Sequence, residues 1–106
     1  MESHTSLDLQ TLRQRYRSGT TPEVVIAQIY EQIAAYDDPA IWIYLAPLAD
    51  SLERARALQS LDPASLPLYG VPFAIKDNID WAQIPTTAGC PAFAYYPTES
   101  ATVVQK

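Results

Sequence analysis

The run Gly70-Val71-Pro72-Phe73-Ala74-Ile75 is almost unbroken apolar chain, and it stops abruptly on Lys76. A short continuous apolar stretch bounded by turn residues is the pattern of a strand covered on both faces, as in a parallel sheet. Pro72 pushes the expected start of that strand toward Phe73, because proline brings no N–H to a ladder. A single parallel-type strand leaves its backbone groups unpaired unless neighbouring strands take them up. The run therefore restricts the chain to architectures in which something else lies beside it.

The rest of the sequence reads mainly as helix. Asp8 is a suitable N-cap for a first helix over 8–18, with Leu7 and Leu12 at the staple positions and Leu9, Leu12 and Tyr16 on one face. Gly19 is its stop, and Arg15 and Arg17 fall in the last turn, where the helix dipole favours cations. Thr21 as N-cap, Pro22 at the first helical position and Glu23 behind it open a second helix. Val25, Ile26, Ile29 and Ile33 give that helix an apolar face to about Ala35, and Asp37-Asp38-Pro39 ends it. The two form an expected helical hairpin over 1–36. Ile41-Trp42-Ile43-Tyr44-Leu45 suits a short strand or an extended buried segment. A third helix is expected from Pro47 to about Gln59, with Leu48, Leu52, Ala55 and Leu58 inward and Glu53, Arg54 and Arg56 outward. Asp62-Pro63 and Leu66-Pro67 mark a loop, and 77–97 is punctuated by Pro85, Gly89, Pro91 and Pro97. Thr98 is the expected N-cap of a last helix carrying Ala101, Val103 and Val104.

Three or four helices and one strand do not close a sheet. At 106 residues the chain is one domain at most. The expectation is of an α/β piece, a helical hairpin over 1–36 followed by the start of an α/β core over 37–106, that is incomplete as a folding unit.

Charge and composition narrow the function. With 7 basic against 12 acidic residues the net charge is −5, which disfavours nucleic acid as a partner because phosphate binding needs a basic surface. Arg13, Arg15 and Arg17, with Arg54 and Arg56, read as solvated helix faces. The lone cysteine, Cys90, permits no intrachain disulfide and suits a reducing compartment. No basic region followed by an apolar stretch opens the chain, so no secretory signal is visible. The longest apolar run, Ala40 to Ala49, contains Pro47 and is too short to cross a bilayer. A soluble, cytoplasmic protein is expected, with no membrane partner.

Lys76-Asp77-Asn78 is the segment most open to chemistry. It reads either as a surface lysine entering a turn, since Asp and Asn favour turns, or as a base. Burial at the end of a greasy strand disfavours an ammonium, and a neutral amine can take a proton from a hydroxyl. In that second reading Asp77 and Asn78 brace the loop through side-chain hydrogen bonds. A lysine of this kind serves either in Schiff-base chemistry or in deprotonating a serine. Thr86, Thr87 and Gly89, within Pro85-Thr86-Thr87-Ala88-Gly89-Cys90, either present hydroxyls and N–H groups to a substrate or form a turn. Cys90 is a weak nucleophile candidate, since the one histidine, His4, is far away near the terminus, and it reads better as a small buried filler. One His, one Cys and scattered carboxylates make no metal cluster, and glycines at 19, 70 and 89 make no phosphate loop.

Pro67-Leu68-Tyr69-Gly70-Val71-Pro72-Phe73-Ala74-Ile75-Lys76-Asp77-Asn78-Ile79 resembles the lysine-bearing segment of the amidase signature family. Pro85-Thr86-Thr87-Ala88-Gly89 and Ala101-Thr102-Val103-Val104 resemble the segments that follow it, at the right spacing. The leading helices, with Gly19 and Thr21-Pro22-Glu23 between them, are similar to the start of that family. Cys90-Pro91-Ala92-Phe93-Ala94-Tyr95 is closer to its allophanate hydrolase branch, where other members commonly carry a serine at the Cys90 position.

The resemblance implies an α/β/α fold with a mixed central sheet and a Ser–cis-Ser–Lys triad in which Lys76 matches the lysine. It implies attack of a serine on a small amide carbonyl, an acyl-enzyme, loss of ammonia and hydrolysis by water. It implies an allophanate-like substrate and no metal or organic cofactor. Both serines belong to a glycine- and serine-rich segment that these residues lack, and Ser100 stands in no such setting. The chain alone is therefore expected to be inactive, with a second copy or a downstream amidase piece as its partner. The competing expectation is a non-catalytic assembly or binding module built from the same segment.

Overall fold

The computed structural model describes residues 6–106. His4, expected to sit apart from any chemistry, lies outside the described residues. Among the described residues the regular elements are helical: α1 (Leu9–Arg17), α2 (Pro22–Tyr36), α3 (Leu48–Leu58) and the single turn α4 (Thr102–Gln105). Short 3₁₀ turns occupy Pro63–Ser65 and Pro91–Phe93. The chain divides into two compact units.

The first unit comprises the residues up to Pro39 and Tyr44–Pro72. α1 starts where its cap predicts. The Asp8 carboxylate accepts from the Thr11 N–H at 2.8 Å and the Thr11 hydroxyl at 3.1 Å, so a donor that the helix leaves unpaired is satisfied. It stops in a Schellman motif at Gly19, whose φ of +107° only glycine adopts without strain. There the Thr20 N–H reaches the Arg15 carbonyl at 2.9 Å, and the Gly19 N–H reaches that of Tyr16 at 3.3 Å. α2 opens on Pro22 as expected and ends on Asp37, which takes the left-handed conformation, its N–H on the Ile33 carbonyl.

α2 packs on α3. The Tyr30 hydroxyl ties them by donating to the Ala46 carbonyl at 2.7 Å while lying 2.8 Å from the Ser51 hydroxyl. Glu23 on α2 pairs with Arg56 on α3 at 2.8 Å and also accepts from the Gln59 amide. The fully buried Leu12 and Val25 and the buried Ala55 come one from each of the three helices, and they are the core of this unit. Each large buried aliphatic contributes about 1.5–3 kcal/mol relative to an exposed one.

The strand expected over Gly70–Ile75 does not form. Gly70 has a φ of +66° and ends a turn in which the Val71 N–H bonds to the Leu68 carbonyl at 3.1 Å. From Val71 to Lys76 the chain has no regular structure. Phe73 is 72% exposed, so the segment is not covered on both faces. The physical reason is the missing ladder: the only β pairing among the described residues is an isolated antiparallel bridge between Thr86 and Tyr95. Ile41 to Leu45 is likewise neither strand nor buried; every one of its five side chains is exposed.

The second unit comprises Ala40–Ile43 and Phe73–Lys106. Segment 77–97 is irregular apart from the 3₁₀ turn and the bridge, as expected. The final helix begins three residues later than expected, with Ala101 rather than Thr98 in the capping position. The reason is visible just before it. The Ser100 hydroxyl is engaged by the Ala82 N–H at 2.8 Å and the Ala101 N–H by the Asp80 carbonyl at 2.9 Å, so the chain turns helical only after these anchors. No described helix is long and apolar enough to cross a membrane.

Candidate active site

Lys76 opens a turn, its carbonyl accepting the Ile79 N–H at 3.0 Å. The side chain is exposed, which corrects the expectation of a desolvated amine. With no strand neighbours around Phe73–Ile75, nothing here removes it from water. Lys76, Asp77 and Asn78 line a cleft of about 280 Å³ together with Ile43, Ala88 and Gly89. The lysine segment and the threonine segment, ten residues apart in sequence, thus share one concavity.

Asp77 is what joins them. Its carboxylate accepts the Thr87 N–H at 3.0 Å, the Thr87 hydroxyl, and the Gly89 N–H at 3.4 Å. Its main-chain carbonyl takes the Ala88 N–H at 2.9 Å. Hydrogen bonds from the Thr87 side chain, then from its backbone, hold the Asp77 carboxyl below the ordinary carboxylate range, because they favour the charged form.

The other threonine of the pair, Thr86, is held by Asp80. Thr86 is buried, and its hydroxyl donates to the Asp80 carboxylate at 3.1 Å. The Tyr95 hydroxyl donates to the same oxygen. Thr86 and Tyr95 also exchange main-chain bonds of 2.8 and 3.1 Å. The bond to Asp80 raises the Tyr95 phenol above its usual range, since losing the proton would leave two negative oxygens face to face.

The threonine segment forms the turn that the sequence offered as one of its two readings. Thr87–Cys90 is a turn, closed by the Cys90 N–H on the Thr87 carbonyl at 2.9 Å. Its central residues have φ of +52° and +79°, the signs of a type I′ turn. The N–H groups from Thr86 through Cys90 all donate within this unit, to Tyr95, Asp77 and Thr87. Asp77, Thr86, Thr87 and Gly89 thus come together as a brace, and Asn78 stands exposed at the cleft.

Sequence reading missed Asp80, Tyr95 and Ile43. The spacing of Asp77 and Asp80 across a four-residue turn, opposite adjacent threonines, was a usable signal for the first; nothing local announced the other two. Cys90 is a free, half-buried thiol, compatible with a filler. Among the described residues no three His, Cys, Asp or Glu side chains are placed to hold a metal ion.

The class comes from the comparison of this lysine-bearing chain with known families. Residues 24–106 match the Amidase family, and the chain belongs to that family. The particular resemblance is to a urea amidolyase and an allophanate hydrolase. The urea amidolyase of Lachancea kluyveri is 44% identical over 94 residues, which is 84% of this chain and 5% of that protein. The allophanate hydrolase of Kluyveromyces lactis superposes with a TM-score of 0.65 at 39% identity, covering 87% of this chain and 16% of that one. A serine-to-alanine variant of the same hydrolase gives a TM-score of 0.71 at 38% identity over 99% of this chain and 18% of its own. The chain spans a small fraction of each relative.

Proposed function

We propose that these residues carry the lysine of a Ser–cis-Ser–Lys amide hydrolase acting on allophanate or a closely similar small amide. The observation behind the reading is that Lys76 lines a cleft together with Asp77, Asn78, Ala88 and Gly89. Similarity to allophanate hydrolase over nearly the whole chain supports the substrate class. In the working enzyme the extended segment Phe73–Ile75 pairs into a mixed sheet of an α/β/α fold. That pairing buries Lys76, and a buried amine gives up its proton more readily. Neutral Lys76 then takes a proton through a bridging serine and frees the nucleophilic serine to attack the amide carbonyl. The tetrahedral intermediate collapses with cleavage of the C–N bond, the proton passing to the departing ammonia, and water hydrolyses the acyl-enzyme that remains. The single free cysteine suits a reducing, cytoplasmic setting.

The test is a chimera in which residues 1–106 replace the matching segment of the K. lactis hydrolase. It should release ammonia from allophanate, and Lys76→Ala should abolish that release, since loss of one member of a triad removes most of its catalysis. Retention of activity by the alanine variant would refute the reading.

A second reading has one observation in its favour. Phe73, Phe93, Tyr96 and Val103 are each exposed by about 70%. A non-catalytic assembly module would use such surface while leaving Lys76 idle. The same Lys76→Ala measurement separates the two.

A further inference from the structure

We propose that Asp77 and Asp80 are positioning residues: by gripping Thr87 and Thr86 respectively, they clamp the turn that bears Lys76 onto the threonine segment and so set where the lysine amine stands in the cleft. The inference rests on the reading of Lys76 as the base.

The turn closes between the Lys76 carbonyl and the Ile79 N–H. Asp77 lies inside it and Asp80 immediately after it, so the turn is held from within and at its exit. Their partners are adjacent residues. Asp77 takes the Thr87 hydroxyl and N–H, and Asp80 takes the Thr86 hydroxyl. A single attachment would leave the turn free to swing about one bond. Two attachments three residues apart, onto two adjacent threonines, fix its orientation.

Each grip is itself anchored. Gly89 bonds to both Asp77 and Thr87, so the first grip also holds the Thr87–Cys90 turn. Tyr95 bonds to Asp80 through its hydroxyl and to Thr86 through its main chain, which closes the second grip into a three-residue ring. The Asp80 carbonyl further holds the Ala101 N–H, tying the ring to α4. Charged acceptors make these bonds stronger than neutral ones. The N–H groups of 86–90 all donate within this network, so the segment holds its neighbour in place.

In the chimera described above, Thr87→Val keeps the shape of threonine but removes the hydroxyl, and Thr87→Ser keeps the hydroxyl. Thr87→Val should lower kcat about a hundredfold, the scale expected when a catalytic group is displaced by an ångström, with KM changed far less. Thr87→Ser should restore most of kcat, and Asp80→Asn should repeat the Val phenotype. Unchanged kcat in Thr87→Val, or a serine variant as poor as the valine one, overturns the inference while leaving the base assignment intact. Unchanged activity in Lys76→Ala instead overturns the assignment itself. Should the valine chimera not fold, amide exchange in the 106-residue chain decides: Thr87 and Ala88 should be protected and lose protection in Thr87→Val, and amides unprotected in the parent chain overturn the clamp.

Discussion

The Tyr16 hydroxyl donates to the Gly70 carbonyl at 2.5 Å, and the edge of the same ring fills the space where a Cβ on residue 70 would lie. The phenol reaches across 54 residues to fix the turn that precedes the lysine segment. Tyr69 stacks edge-on against it, with ring centroids 5.6 Å apart and planes at 88°.

Gly70 is therefore irreplaceable for two reasons that add. A methyl group there would meet Tyr16 at 2.6–2.7 Å, and φ of +66° strains any L side chain. Gly70→Ala should cost about 1–3 kcal/mol from overpacking, plus about 1 kcal/mol from the left-handed backbone. Urea unfolding would show it. In a Tyr16→Ala background the clash disappears, so the alanine at 70 should then cost only the backbone share. Full additivity of the two changes would disprove the steric account. Tyr16→Phe, which keeps the ring, should cost about 1 kcal/mol for the lost bond.

Leu12 is the central side chain of the three-helix unit, fully buried, whereas Leu9 on the same helix is 44% exposed. Leu12→Ala should destabilise by about 2–5 kcal/mol, and Leu9→Ala should stay near or below about 1 kcal/mol. Comparable losses at the two positions in thermal unfolding would mean that the apolar face of α1 has been misplaced.

The turn at Ala88 and Gly89 offers a test of opposite sign at neighbouring positions. Both have positive φ. Gly89→Ala meets no atom within 4 Å, yet it should destabilise by about 1 kcal/mol through backbone strain alone. Ala88→Gly relieves the same strain and gives back part of the gain as unfolded-state entropy. It should come out neutral to stabilising by about 0.5 kcal/mol, allowing for both terms. A destabilising Ala88→Gly in chemical denaturation would contradict the φ assignment.

These contrasts show what the sequence could and could not convey. Asp8, Gly19, Thr21-Pro22 and Gln59 bound α1, α2 and α3 within a residue or so, because capping and φ restrictions act through near neighbours. Val71 to Lys76 carries the composition of a buried strand, but strand formation depends on partners that local pattern does not contain. The same holds for Ile41–Leu45. Lys76, Asp77, Thr86, Thr87 and Gly89 were legible as a group through family resemblance and turn chemistry. Tyr95 was not, since its bond to Asp80 spans 15 residues of irregular chain. Asp80 stood in plain view beside a more conspicuous lysine.

The carboxylates give a pH dependence whose sign can be worked out. Asp8 and Asp77 are both depressed below 3.8 in the folded chain, Asp8 first by the Ser6 hydroxyl and Asp77 first by the Thr87 hydroxyl. A group depressed on folding contributes stability above its unfolded pKa and loses it as pH falls through the folded value. Stability should therefore hold through neutral and mildly acidic pH and decline as the pH drops below about 3.8, the ordinary value for these groups. Tyr95 runs the other way. Its folded value is raised above 10.0, chiefly by its bond to Asp80, so its contribution is complete below that pH and is lost as pH climbs through the folded value. An NMR titration of the side-chain carboxyl carbons resolves the sites. In Thr87→Val the Asp77 midpoint should move up toward 3.8 while that of Asp8 stays fixed. An Asp77 midpoint indifferent to residue 87 would show that the two segments are not joined through this carboxylate.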